Sequence, residues 1–305
     1  MRKTNYHFRK IWLSAVLFMA AGRAYPADTT AAFLKLGFDA RTEGLGNSCA
    51  AATEGAGAAA LNPGALALIK AREFGFTHSA LFGDIRHNSA NYAQPLENGA
   101  FGLGIQYLTQ GAIEQRDSDR RIIGEYKSYD RAVNLAYGRN FGGDIRLGLN
   151  VKYLTSVIED ESASGFAFDL GGVYELGKVR LGLAARNMGS GLKFMDRTGR
   201  LPLSLAFGAA YRLNNGLLLA FDIKNSPYDR KTVVSLGTEY TVFSRVFLRA
   251  GYTKSAESLN PGGSGIGDAL TGGMGLNFLN CKLDYAFSPY GELGNIQKLS
   301  LAAGF

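Results

Sequence analysis

Gly143-Asp144-Ile145-Arg146-Leu147-Gly148-Leu149-Asn150-Val151-Lys152-Tyr153-Leu154-Thr155-Ser156-Val157 alternates almost without a break. Ile145, Leu147, Leu149, Val151 and Tyr153 fall on one parity, and Arg146, Gly148, Asn150 and Lys152 on the other. Successive side chains of a strand point to opposite faces, so this stretch has one apolar face and one charged face. It is also much longer than the five or six residues usual for a strand in a soluble domain.

The same split recurs on both sides of it. Val179, Leu181, Leu183 and Ala185 alternate with Lys178, Arg180, Gly182 and Arg186. Leu203, Leu205, Phe207, Ala209 and Tyr211 alternate with Ser204, Gly208 and Arg212, and Val246, Leu248, Ala250 and Tyr252 with Arg245, Arg249 and Gly251. Carried outward, the pattern places strands at 73–83, 86–96, 99–110, 125–140, 143–157, 162–175 and 178–187. A second set follows at 202–213, 216–226, 230–242, 244–256, 268–279, 281–289 and 295–305, about fourteen in all. Every second connection (97–98, 141–142, 176–177, 214–215, 243 and 280) has one or two residues, whereas the intervening ones run from two to fourteen. Short turns on one rim and longer loops on the other are the habit of outer-membrane barrels, with the short turns periplasmic.

A soluble β-sandwich alternates too, but it has no reason to sort its connections by length or to make every strand ten residues or so. A transmembrane barrel has both reasons: a tilted strand needs about nine to eleven residues to cross hydrocarbon, and closure leaves no backbone edge unpaired in lipid. The expected fold is therefore all-β, a transmembrane antiparallel β-barrel of about fourteen strands. Glycine fits this reading, at 40 of 305 residues with only 7 prolines and no low-complexity tract.

The first residues set the compartment. Met1 to Lys10 is basic, Ile11 to Ala21 is apolar, and the small residues Gly22 and Ala24 follow. This reads as a secretory signal peptide over 1–24, with cleavage usable up to Ala27. Its apolar stretch is too short to span a bilayer as a helix. Loss of Arg2, Lys3, Arg9, Lys10 and Arg23 would take the net charge from +7 to +2, so the basic balance carries no nucleic-acid footprint. The expected location is the outer membrane of a Gram-negative-type envelope. Cys49 and Cys281 could pair in an oxidising periplasm, but Cys281 shares parity with Leu283, Tyr285 and Phe287, a lipid-facing set, and pairing is not expected.

Residues 28–72 do not alternate and are rich in Ala and Gly; they predict turns and short helical pieces that can pack closely inside a barrel, as an N-terminal hatch ahead of a barrel over 73–305. Asn62-Pro63-Gly64 is a strong turn signal within it. Phe33-Leu34-Lys35-Leu36-Gly37, Ala40-Arg41, Gly44-Leu45-Gly46 and Leu61-Asn62-Pro63-Gly64-Ala65-Leu66-Ala67 resemble the opening of the PorV/PorQ family, within the wider class of FadL-like barrels. The resemblance implies a fourteen-stranded barrel whose N-terminal segment forms a hatch in the lumen. The family usually reads Asn-Pro-Ala-Gly after an aromatic, whereas this chain has Leu61 and then Asn62-Pro63-Gly64-Ala65. Leu299, Leu301, Ala303 and the terminal Phe305 alternate with Lys298, Ser300 and Gly304, and this ending resembles the signal read by the barrel insertion machinery.

Inward parity collects Arg146, Lys152, Arg180, Arg186, Arg212, Lys224 and Arg249 against Asp169, Asp222, Glu239 and Asp284. The plainer reading is an internal ion-pair lattice holding barrel and hatch together; the other is a pore or pocket that prefers anionic solutes. Catalysis is not expected: His78 and Ser79 are adjacent and point to opposite faces, and His78 shares parity with Phe74, Phe76 and Phe82. His87, like His78, has no metal-ligand partner at a common spacing, and no cofactor is expected. FadL-like resemblance implies passage of small hydrophobic or amphipathic molecules, against which the inward face reads as charged. PorV resemblance implies an accessory of protein secretion, of type IX kind, that binds exported proteins; against it, the chain has little length for loops. A purely structural barrel is the third possibility. Outer-membrane lipid and the insertion machinery are partners in every case.

Overall fold

The computed structural model describes residues 29–111, 113–117, 119–194, 197–256, 269–289 and 294–305; the expected leader over 1–24 lies outside them. Fourteen of its strands close into one antiparallel barrel. In chain order these are β1 (Glu73–Ala80), β2 (Arg86–Leu96), β3 (Gly99–Thr109), β6 (Ser128–Asn140), β7 (Ile145–Ile158), β8 (Glu161–Leu176) and β9 (Val179–Gly189). The series continues with β12 (Ser204–Arg212), β13 (Leu217–Ser226), β14 (Lys231–Val242), β15 (Val246–Ser255), β16 (Ala269–Phe278), β17 (Cys281–Pro289) and β18 (Asn295–Gly304). Each strand pairs with its barrel neighbours in sequence, and β1 pairs with β18 to close the ring, Glu73 opposite Gly304 and Ala80 opposite Gln297.

The wall is inside out by the standard of a soluble protein. Along β7, Leu147, Leu149 and Tyr153 are 42–46% exposed, while Asn150 is fully buried and Lys152 is 3% exposed. Phe101, Leu103, Ile105 and Tyr107 on β3 and Leu283, Tyr285 and Phe287 on β17 continue the exposed belt. A belt this size would be an aggregation surface in water; against hydrocarbon it is the solvated face, and the polar parity is driven inward. Among the described residues no helix is long and apolar enough to cross a membrane.

The connections after β2, β6, β8, β12, β14 and β16 have two to four residues rather than one or two, and the longest connections all fall on the other rim, although β7 and β8 are joined there by Glu159 and Asp160 alone. Two of the long ones differ from the sequence reading. The connection from β3 to β6 folds as a hairpin of β4 (Ile113–Arg116) and β5 (Ile122–Tyr126), and that from β9 to β12 contains β10 (Leu192–Phe194) and β11 (Arg197–Gly199). The expected strand 125–140 therefore begins in the hairpin, and the barrel strand proper starts at Ser128. The remaining errors are frayed ends of a few residues, such as β1 stopping at Ala80 rather than residue 83.

Residues 29–72 fill the lumen with short turns: a 3-10 turn Ala32–Lys35, helical turns Ala40–Gly44 and Ala58–Leu61, and a second 3-10 turn Pro63–Leu68. Asp39 caps the Ala40–Gly44 turn by accepting from the Thr42 amide at 2.7 Å, and Asn62 caps Pro63–Leu68, with proline at the first position where its missing amide costs nothing. The segment is not confined to the short-turn rim beside Phe305 but runs the length of the lumen. Thr29 bridges to Arg200 in a long connection, whereas Arg72 accepts from the Phe305 amide at 2.9 Å at the short-turn rim. The Thr30 amide also donates to the Arg200 carbonyl at 2.8 Å, Thr30 Oγ1 to the Gly199 carbonyl at 3.0 Å and Thr29 Oγ1 to Asp229 at 2.8 Å, which draws the start of the segment to that end.

Candidate functional site in the barrel lumen

The plug is seated by backbone contact through a glycine-lined wall. A Cβ built at Gly148 would lie 2.3 Å from the Pro63 carbonyl, and one at Gly182 would lie 1.9 Å from the Ala50 carbonyl oxygen. No side chain fits at either point, and this close approach accounts for glycine on the inward parity of β7 and β9.

Asn62 is the hinge pin of that packing. It is fully buried; its Nδ2 donates to the carbonyls of Ala50 at 2.6 Å and Gly172 at 3.1 Å, and its Oδ1 accepts from the Gly64 amide at 3.2 Å. One side chain thus ties two turns of the plug to β8. Pro63 and Gly64 press against the wall glycines on β6, β7 and β8.

Above and below this seat the lumen has different chemistry. Toward the long connections an apolar cluster gathers Phe33 and Ala31 of the plug, Leu108, Ala132, Leu154, Ala163 and Ala167 of the wall, and Leu192 and Leu201 of the β9 to β12 connection. The expectation of a uniformly charged inward face is corrected here. Leu108 and Leu154 sit on the inward parity among polar neighbours, and the plug and connection supply apolar side chains that strand periodicity does not reveal.

Beside this cluster the wall bulges. The β8–β9 register shifts between Phe168 and Leu170, and Asn187 takes a positive φ of 61°. Asp169, fully buried, fills the break: it accepts from the Asn187 amide at 2.7 Å, from Asn150 Nδ2 at 2.8 Å and from Lys152 Nζ at 2.7 Å. Lys152 Nζ also donates to Asn187 Oδ1.

Toward the short turns lies an ion-pair lattice. Arg249 bridges Glu239 and Asp284, each at 2.7 Å, and Arg41 of the plug meets Glu239 at 2.9 Å. Arg146 and Arg180 share Glu175, at 2.8 and 3.0 Å. Asp222 accepts from the backbone amides of Cys49 and Ala50 at 2.8 and 2.7 Å and so anchors the plug rather than pairing with a cation. Glu43 of the plug pairs with Lys298 of β18 at 2.8 Å. Arg212 meets Glu54 at 2.8 Å, with Arg180 3.6 Å and Arg41 3.7 Å from the same carboxylate. Burial pushes the Glu54 carboxyl up, but Arg41, Arg212 and Arg180 outweigh it and hold it below the ordinary glutamate range. The buried Arg186 Nε has no hydrogen-bond partner among the described residues.

Of the charges singled out from sequence, Lys152 with Asp169 and Arg249 with Glu239 and Asp284 are brought together. The partners that sequence reading missed are Arg41, Glu43 and Glu54, which lie in a segment without periodicity, and Glu175 and Lys298, which do lie on the inward parity. His78 is on the outward face, its Nδ1 2.7 Å from Asn88 Oδ1, and His87 is buried opposite Leu108 of β3. Cys49 is buried and Cys281 exposed, both free thiols; burial pushes the Cys49 thiol up to about 11. No group of three potential metal ligands occurs among the described residues. The Phe305 ring stacks on Tyr92 with centroids 6.5 Å apart.

Solved barrels share this architecture. The Pseudomonas putida toluene transporter TodX superposes with a TM-score of 0.64 at 15% identity, over 92% of this chain and 98% of that one. The Ralstonia pickettii toluene transporter TbuX gives 0.63 at 15% identity, over 88% and 97%, and a Pseudomonas aeruginosa FadL homologue 0.58 at 15% identity, over 93% and 99%. The fold is therefore that of the FadL-like barrels. No protein-family model matches the chain, and no curated protein matches it by sequence.

Proposed function

We propose that this chain is an outer-membrane channel for small hydrophobic or amphipathic molecules. The observation that carries the reading is the division of the lumen: an apolar cluster around Phe33, Leu108 and Leu154 at the long-connection end, and an ion-paired plug at the other. An aqueous pore has no use for such a cluster, whereas an apolar solute entering from outside would be desolvated there. The shared fold with barrels described as toluene transporters supports the reading. In this account outer-membrane lipid surrounds the exposed belt, Phe305 serves the insertion machinery, the leader over 1–24 is removed, and the Asn62-Pro63-Gly64 turn is the PorV/PorQ-like part of the hatch.

Phe33 offers a direct reporter. Trp12 is the sole tryptophan of the chain and lies in the expected leader, so a Phe33→Trp variant carries one fluorophore inside the cluster. Toluene is expected to quench or shift its emission saturably in detergent. A linear, non-saturating response identical to that of free tryptophan would count against the site.

A second reading, as an accessory that binds exported proteins, is favoured by one feature. The β4–β5 hairpin stands at the long-connection rim with Ile122 and Ile123 57% and 60% exposed, a larger outer surface than the chain length suggests. Exported proteins co-purifying with the native barrel, and lost on Ile122→Ser/Ile123→Ser substitution, would favour it; a barrel that purifies alone would not.

A further inference from the structure

The outward face of the wall changes character toward the long connections. Phe76, Ala90, Ile105, Val133, Tyr153 and Phe166 form one row across β1, β2, β3, β6, β7 and β8, each opposite the next, and the row is apolar throughout. The next row on the same parity, nearer the long connections, reads His78, Asn88, Tyr107, Arg131, Thr155 and Ser164. A switch of this kind marks the level at which hydrocarbon gives way to lipid headgroups.

Arg86 and Arg131 are the cations of this border. Both are exposed and share the outward parity of the belt. Arg86 lies opposite Thr109 of β3, and Thr109 opposite Tyr129 of β6, on the same face as Arg131. The two arginines are therefore two strands apart, about 10 Å across the sheet at the usual strand spacing. Neither makes a hydrogen bond or an ion pair among the described residues. The outward parity of β1, β2, β3 and β6 carries no carboxylate to balance them. Asp130, next to Arg131 in the chain, turns to the lumen and accepts from Ser156 Oγ. Beside the arginines the Tyr107 and Tyr129 rings lie 5.6 Å apart, an aromatic pair at the headgroup level. On a wall facing water two unpaired arginines would be ordinary solvated charges; directly above an apolar row they stand where lipid phosphates stand.

We infer that Arg86 and Arg131 form a docking surface for the phosphorylated headgroup of an outer-leaflet lipid, a lipopolysaccharide whose lipid A anchor carries two phosphates. Each guanidinium takes one phosphate, for which its planar fork of donors is suited. The acyl chains lie on Phe76, Ile105, Val133 and Tyr153 below. Three features select this lipid. The long connections of an outer-membrane barrel face the outside, where the leaflet is lipopolysaccharide. Two separated cations with no counter-charge match a headgroup with two phosphates better than a phospholipid with one. The apolar row continues the belt without a break, so one molecule can meet both parts. The surface lies on the outside of the wall and does not depend on the barrel passing any molecule.

Native mass spectrometry of the folded barrel in detergent, titrated with bisphosphorylated lipid A, tests it. Wild type is expected to retain lipid A, and the Arg86→Gln/Arg131→Gln double variant to bind it at least about tenfold more weakly, through loss of two charge-assisted contacts. Lipid A lacking one phosphate is expected to bind wild type less tightly than the bisphosphorylated form. Arg139 supplies the control: it shares the outward parity of β6 but stands at the short-turn rim, its guanidinium over the Phe141 ring at 5.6 Å. Arg139→Gln is expected to leave lipid A binding unchanged. Equal affinity of wild type and the double variant, an equal loss in Arg139→Gln, or binding of phosphatidylglycerol as tight as that of lipid A would each overturn the assignment. Heat-modifiable migration on gels verifies that each variant is a folded barrel. Should the double variant fail this check, Arg131→Gln alone is expected to weaken binding severalfold, and unchanged affinity there is equally contrary. The Phe33→Trp response to toluene is independent of these outcomes, so the two readings fail separately.

Discussion

Gly182 of the barrel wall and Ala50 of the plug meet backbone to backbone, so closely that a Cβ on Gly182 would stand 1.9 Å from the Ala50 carbonyl oxygen. The contact recurs at Gly148 with Pro63, and together the two fix the plug at a depth where Asn62 can bond both to Ala50 and to Gly172.

A side chain at Gly182 must push the plug away. Gly182→Val is expected to destabilise the folded barrel by about 1–3 kcal/mol, the usual cost of overpacking, and to loosen the plug enough for ion current to appear in planar bilayers. Thermal unfolding followed by gel migration gives the first quantity and conductance the second. A variant as stable and as silent as wild type would show that the plug does not sit against β9.

Asn62→Ala strips two donors from buried carbonyls and one acceptor from Gly64. Each orphaned buried group costs about 1–3 kcal/mol, so the plug is expected to become protease-sensitive within 29–72 while the strands remain protected. Mass spectrometry of limited digests reads this; cleavage confined to the long connections, as in wild type, is the contrary result.

The pair between Glu43 and Lys298 makes plug seating depend on pH. Burial pushes the Glu43 carboxyl up, but Lys298 and hydrogen bonds from Asn47 and Ser288 bring it below its ordinary value of 4.5. A carboxyl lowered on folding stabilises fully above its unfolded value and loses that contribution as pH falls through the lower folded one. Asp39, raised chiefly by burial, has the opposite slope and offsets part of the loss. Acidification from pH 5 downward is therefore expected to release the plug, and Glu43→Gln to weaken that dependence, in a stability series followed by gel migration. An unchanged acid profile in the variant would remove this pair from the account.

The two cysteines differ by burial. In the folded barrel a maleimide is expected to label Cys281 and spare Cys49, whose thiol is both enclosed and pushed up to about 11. Intact mass should show one adduct folded and two after denaturation; two adducts in the folded state would place Cys49 outside the packed plug.

The barrel was legible in the sequence because a membrane wall imposes period two on every strand, and because connection length records which rim a turn occupies. Ile145 to Tyr153 is enough to see the first, and the two-residue connections 97–98 and 141–142 against the fourteen residues of 111–124 show the second. The plug was less so. Arg41, Glu43 and Glu54 sit in short turns whose side chains point wherever the lumen allows, with no period to read. The apolar cluster was missed for a related reason: Leu154 is one apolar residue on a polar parity, and its partners Phe33, Leu192 and Leu201 come from outside the strands. The β4–β5 and β10–β11 hairpins went unread because their strands are three to five residues long, too short for alternation to stand out.

The claim that matters most is that a plugged barrel with an apolar outer lumen admits small apolar solutes. Toluene entry into whole cells with an intact lipopolysaccharide leaflet, compared with and without expression of the full chain, measures it most directly. The account predicts faster entry with the barrel than without it, with no accompanying rise in uptake of a small hydrophilic sugar. Equal toluene entry in the two cell lines, or a rise for the sugar alone, would contradict it.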